Sequence, residues 1–120
     1  MTKQTQRGLR RLFSAAGYSW SGLRSCWSNE EAFRQEVIVC LIGIPLALWL
    51  GESGTERALM ITSLIVLLIV ELLNSAVECV VDRVSLERHE LSKQAKDIAS
   101  AAVLLALLQV PMVWLLVLLD

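Results

Sequence analysis

The sequence predicts an all-α integral membrane protein: three transmembrane helices preceded by an amphipathic surface helix. Three observations carry this. Of 120 residues, 55% are hydrophobic and 19% charged, a balance that suits a bilayer better than a soluble core. The apolar residues are concentrated in runs at 58–81 and 98–119, each long enough to cross the hydrocarbon as a helix, with a shorter run at 37–50. The charges are segregated, so the net charge of −1 says nothing about partners. Residues 1–120 form a single membrane domain, with no room for a large soluble catalytic module and no nucleic-acid partner expected.

The first element is a surface helix at 6–27. Leu9, Leu12, Phe13, Ala16, Trp20, Leu23 and Trp27 recur at steps of three and four, while Arg7, Arg10, Arg11, Ser14, Ser21, Arg24 and Ser25 fill the other positions. An apolar stripe with a basic opposite face is the pattern of a helix lying in the membrane interface. Gly8, Gly17 and Gly22 weaken it as an isolated helix. A basic start followed by amphipathic residues rather than a continuous apolar run also argues against a signal peptide.

The second element, a span at 30–50, reaches membrane length only if its apolar run is extended back through Ala32, Phe33, Arg34, Gln35 and Glu36. That extension brings Glu30, Arg34 and Glu36 to the interface, and Pro45 is expected to kink the helix. A polar turn at 51–57 leads to the span at 58–81. A densely charged connector, 82–97, leads to the span at 98–119, which only Ser100, Gln109 and Pro111 interrupt. Trp49 and Trp114 read as interfacial belt residues. Cys26, Cys40 and Cys79 have no paired spacing and read as small core or lipid-facing residues.

Orientation follows from the basic residues. Of the eleven, only Arg57 lies on the side of the 51–57 turn. The N-terminus and the charged connector are therefore expected in the cytoplasm and the C-terminus outside.

The chemistry lies in the 58–81 span. Glu71, Asn74, Glu78 and the following Asp82 fall within a wedge of about 80° on one helix. Ionisable groups at membrane depth are costly and mark functional sites. Glu30, Glu87, His89, Lys96 and Asp97 gather at the same boundary. Carboxylate and amide oxygens suit Mg²⁺ rather than zinc, while Lys96, Arg88 and Arg11 supply charges that neutralise phosphates. Such a cluster beside an apolar wall fits phosphoryl transfer from a water-soluble donor to a lipid acceptor. No GxxxxGK[ST], GxGxxG or HRD motif is present. Plainer readings stand beside this one: the stripe as interhelical glue, Lys96 and Asp97 as a charge pair at a helix start, the arginines as headgroup contacts. A small cation-coupled transport subunit with Glu71 as its membrane carboxylate is a further alternative.

The string ELLNSAVECVVD at 71–82 resembles the signature of the prokaryotic diacylglycerol kinase family. The strings AAGYSW at 15–20, Asn29-Glu30, AFRQE at 32–36, HELS at 89–92 and AKD at 95–97 resemble its Gram-negative branch. The resemblance implies an inner-membrane homotrimer that transfers the γ-phosphate of MgATP to diacylglycerol, giving phosphatidic acid for phospholipid recycling; the sister activity, an undecaprenol kinase, is the alternative. It implies Glu71 as catalytic base, with Asn74 orienting Glu71 or the phosphates, and Glu30 and Glu78 as ligands of Mg²⁺. Nucleotide contacts would come from Arg11, Tyr18, Glu30, Glu78, Glu87, Arg88, His89, Lys96 and Asp97. The lipid site would draw on Arg11, Ala15, Ala16, Gly17, Tyr18, Ser19, Trp20, Arg24, Trp27, Ala32, Phe33, Arg34, Gln35, Glu36, Trp49, Arg57, Glu71, Ser100 and Trp114. Two positions depart from the familiar pattern: Ser14 stands where a lysine is common, and Arg88 where an aromatic is common, which leaves Arg88 its backbone as the contact.

Overall fold

The computed structural model describes residues 3–84 and 89–120, and these form four helices: α1 (Lys3–Asn29), α2 (Glu31–Leu50), α3 (Gly54–Val84) and α4 (Glu90–Leu118). The last three are long and apolar enough to cross a membrane. The apolar run at 58–81 lies wholly inside α3, which continues into Asp82 and Arg83. The charged stretch 82–97, expected as a connector, is thus helical at its start and again from Glu90 onward. Charged side chains are good helix formers, and a helix need not stop where the hydrocarbon does. α1 runs through Gly8, Gly17 and Gly22, and α2 and α4 run through Pro45 and Pro111.

Each turn is built by local chemistry. A single extended residue, Glu30, separates α1 from α2. There Arg34 Nη1 donates to the Trp27 carbonyl at 2.8 Å and to Ser28 at 3.3 Å, capping the end of α1. Between α2 and α3, Ser53 Oγ accepts from the Glu56 amide at 3.1 Å, an N-terminal cap for α3. Arg57 Nε reaches back to the Leu48 carbonyl at 3.1 Å. Gly51 sits under that arginine. A Cβ there would stand 2.5 Å from Arg57 Cγ and 2.9 Å from the Ala47 oxygen, so the tight turn needs glycine. At the start of α4, the His89 ring accepts from the Leu91 amide at 3.1 Å through Nδ1.

α3 is the central helix, with α2 on one side and α4 along another. Its buried residues, Met60, Ser63, Leu64, Leu67, Glu71 and Ser75, recur at helical spacing and define the contact stripe. Gly43 sets the approach of α2: a Cβ there would stand 2.7 Å from Leu64 Cδ1. Small residues at such crossings let helices come close where lipid offers no hydrophobic contrast. α4 is fastened by polar bonds. Gln109 Nε2 donates to the Ser63 carbonyl at 2.7 Å, and Trp114 Nε1 to Ser63 Oγ at 3.1 Å and the Met60 carbonyl at 3.2 Å. The large apolar side chains left outside, among them Leu41, Ile42, Leu105, Leu108 and Leu116, are those a bilayer or another subunit would cover.

Candidate functional site at the membrane boundary

The acidic stripe of α3 faces a groove of about 440 Å³ formed by three helices. α2 contributes Ala32, Gln35, Glu36 and Val39; α3 contributes Glu71, Asn74 and Glu78; α4 contributes Ser100, Val103 and Leu107. The antiparallel register of α2 and α3, held by Gly43 against Leu64, carries Glu36 to the level of Glu71. That level is about 9 Å along α2 from the Glu30 elbow, near one end of the bundle. Polar side chains line one part of the groove and Val39, Val103 and Leu107 the other. The groove is therefore amphiphilic, with carboxylates where polar and apolar walls meet.

Glu71 is 4% exposed and Glu36 8%. The two carboxyl groups line the same groove. Asn74 serves both neighbours on its own helix: its Nδ2 donates to Glu78 Oε1 at 3.4 Å, and it also reaches Glu71. Glu30 and Glu78 both act on Glu71 through their charge. Among the described residues no three His, Cys, Asp or Glu side chains gather as a metal-binding group. Glu30 and Glu78 line different pockets; each carries the hard oxygen donors that Mg²⁺ takes, a cation that binds through one or two carboxylates and draws its remaining oxygens from phosphates and water.

The other sequence-predicted residues fall into separate places. Glu30 lines a second pocket, on the α1 side of α3, with Ser19, Cys26, Asn29, Ser75 and Cys79. Trp20, Arg24, Trp27 and Phe33 line a groove between α1 and α2. Arg11, Ala15 and Tyr18 share an open hollow on α1 with Arg7, Arg10 and Ser14, and Ala16 and Gly17 are exposed on the same helix. Lys96 pairs with Asp82 at 2.7 Å rather than with its neighbour Asp97, which pairs with Lys93 at 2.7 Å. Lys96 thereby ties the start of α4 to the end of the acidic stripe. His89 is the cap of α4. Glu87 and Arg88 lie outside the described residues. Trp49, Arg57 and Trp114 stand at the far end of the bundle. Trp49 is 79% exposed, as a belt residue would be, whereas Arg57 and Trp114 spend their N–H groups on helix carbonyls and Ser63.

Sequence reasoning expected an apolar wall beside the cluster but did not name the residues that form it. Val39 follows Glu36 by three positions, and Val103 and Leu107 follow Ser100 by three and seven, so helical spacing was the available signal. Ser75, on the same helix as Glu71, acts as interhelical glue: its hydroxyl meets Cys26 Sγ at 3.5 Å and seats the end of α1 on α3. Burial pushes the Cys26 thiol up, so it is a packing group rather than a nucleophile. Among the described residues all three cysteines are free.

The fold is all-helical with three helices long and apolar enough to cross a membrane, and its carboxylate groove has both polar and apolar walls. Comparison with known proteins makes this specific. Residues 17–118 match the family described as prokaryotic diacylglycerol kinase. The chain is 50% identical over 107 residues to the diacylglycerol kinase of Escherichia coli (strain K12), covering 89% of this chain and 88% of that one. It is 52% identical over 115 residues to the Pseudomonas aeruginosa diacylglycerol kinase, covering 96% and 94%. With the Helicobacter pylori diacylglycerol kinase it shares 44% identity over 108 residues, covering 90% and 84%. The chain belongs to the prokaryotic diacylglycerol kinase family.

Proposed function

We propose that this chain transfers the γ-phosphate of MgATP to the free hydroxyl of diacylglycerol, giving phosphatidic acid, in the groove around Glu71. Family membership makes it a lipid kinase. The observation that carries the site is the position of Glu71, buried where the polar and apolar walls of the groove meet. A diacylglycerol entering from the bilayer would lay its chains against Val39, Val103 and Leu107 and bring its hydroxyl to the carboxylates.

Glu71 takes the hydroxyl proton as the lipid oxygen bonds to the γ-phosphorus and the bond to the ADP oxygen breaks. Asn74, one turn from Glu71 on the same face and bonded to Glu78, orients Glu71 or the phosphates. Glu30 and Glu78 are the residues that would hold Mg²⁺, which supplies charge to offset the phosphate oxygens. Lys96, held over the stripe by Asp82, and Arg11 are the cations available for the nucleotide. Most of such catalysis is positioning and charge compensation, so few groups suffice.

Glu30 and Arg11 lie apart from the groove, on the α1 side, and the exposed apolar faces of α2 and α4 are extensive. Both observations support a homotrimer in which neighbouring subunits complete each site. The basic residues on α1 support its lying on the cytoplasmic surface of the inner membrane, with the C-terminus periplasmic.

The test is a mixed-micelle assay with γ-labelled ATP and a panel of lipid alcohols. Diacylglycerol should be labelled far faster than undecaprenol. Equal or reversed rates would overturn the substrate assignment, and no labelled lipid would overturn the kinase reading.

A further inference from the structure

We propose that Arg34 is a positioning residue for Glu30: by tying the end of α1 to the first turn of α2, its guanidinium fixes the elbow on which that carboxylate stands. The inference rests on the reading of Glu30 as a Mg²⁺ ligand.

The joint between α1 and α2 is a single residue. Glu30 is extended, with φ −120° and ψ 108°, and its side chain makes no capping bond. The final carbonyls of a helix have no intrahelical partner and must find one elsewhere. At the end of α1 the Cys26 carbonyl accepts from the Glu30 amide at 2.9 Å. The Trp27 and Ser28 carbonyls both accept from Arg34 Nη1, at 2.8 and 3.3 Å. That nitrogen carries two N–H groups, enough for both. On the other side, the Glu30 carbonyl accepts from the Arg34 amide at 3.3 Å. The Asn29 amide bonds back within α1, to the Ser25 carbonyl at 2.9 Å, and does not cross the joint. Arg34 therefore spans the extended residue: its backbone holds the carbonyl of Glu30, and its side chain grips the helix on the far side.

The neighbours of Arg34 are placed differently. Phe33 lines the groove between α1 and α2, and Ala32, Gln35 and Glu36 line the groove of Glu71. The resemblance implied a lipid contact for Arg34 as well; its hydrogen bonds are made at the elbow instead. Glu30 needs such support more than Glu78 does. Glu78 is set by the body of α3, whereas the direction of Glu30 depends on the two backbone dihedrals of one extended residue. Mg²⁺ demands near-ideal octahedral geometry at short distances, so a ligand on a loosened elbow binds it poorly. Loss of the Arg34 clasp should weaken the metal and leave the lipid unaffected.

The test compares Arg34→Met, Arg34→Lys, Glu30→Gln and the double variant Arg34→Met/Glu30→Gln in purified, lipid-reconstituted protein. The main measurement is the Kd of Mn²⁺, standing in for Mg²⁺ and followed by its electron paramagnetic resonance signal, with a non-hydrolysable ATP analogue present. KM for diacylglycerol is measured beside it. Arg34→Met keeps the stem and loses the donors, and should raise the Mn²⁺ Kd about tenfold, the scale of one hydrogen bond from a charged group, with KM little changed. Arg34→Lys should recover to within about threefold of the parent. The double variant should bind Mn²⁺ no more weakly than Glu30→Gln alone, because the group being positioned is gone. Arg34→Gln, a donor too short to span the elbow, replaces Met if that variant costs the fold. An unchanged Mn²⁺ Kd in Arg34→Met, a Lys variant as weak as Met, or additive losses in the double variant would overturn the positioning role. A loss confined to KM would also overturn it and restore Arg34 as a lipid contact. Failure of the underlying reading looks different: Glu30→Gln would then itself bind Mn²⁺ with the parental Kd.

Discussion

Buried polar groups stand at both ends of the α3 contact stripe, and the two ends treat them differently. Around Ser63 every donor finds an acceptor. Ser63 Oγ donates to the Met60 carbonyl at 2.6 Å, Gln109 reaches the Ser63 and Ala106 carbonyls, and Trp114 reaches Met60 and Ser63. Around Glu71 the buried groups are mostly acceptors. Glu36, Glu71 and Glu78 line one groove, and among the described residues Glu36 Oε2 is left without a partner although Gln35, Asn74 and Ser100 carry donors there. The first arrangement is complete in itself and serves to join helices. The second is incomplete until a proton, a cation or a substrate enters it. In a membrane span unmade hydrogen bonds are costly, and that shortfall supports the proposal of a site there rather than glue.

Mutation should separate the two ends. The largest effect is expected at Glu71. Glu71→Gln keeps size and a hydrogen-bonding oxygen but removes proton acceptance, so kcat should fall about a hundredfold or more, while the Kd of a MgATP analogue and the melting temperature stay near the parent. Normal turnover would remove the distinction between the ends altogether. Next comes a purely structural change: Gly51→Ala forces a Cβ against Arg57 and the Ala47 carbonyl, and should cost about 1–3 kcal/mol in a denaturation titration, with turnover per folded molecule retained. Glu78→Gln should raise the Mg²⁺ concentration for half-maximal activity about tenfold and leave helix content by circular dichroism intact. An unchanged Mg²⁺ dependence would place the metal elsewhere. The smallest effect is expected at Gln109. Gln109→Leu removes a donor whose acceptors keep their helical bonds, a loss of about 0.5–1 kcal/mol in stability with unchanged kcat. A large activity loss there would show that the completed end also serves the chemistry.

Much of this molecule is local and could be read along the chain. The apolar runs set which segments become spans, and the i, i+3, i+4 geometry of one helix put Glu71, Asn74 and Glu78 on a shared face without reference to anything else. The resemblance of residues 71–82 to a known signature is local too. Where the chain is charged rather than apolar, hydropathy could not tell a helix extension from a loop, and α3 and α4 both continue into the stretch expected as a connector. What needed tertiary structure was the register between helices. Gly43 lets α2 approach Leu64, and that one crossing decides that Glu36 stands opposite Glu71. The same nonlocal packing pairs Lys96 with Asp82 instead of its sequence neighbour, turns Trp114 onto Ser63, and sends Glu30 to the α1 side of α3. Periodicity gives the direction of a side chain around its own axis; only the packing of one helix on another decides what it meets there.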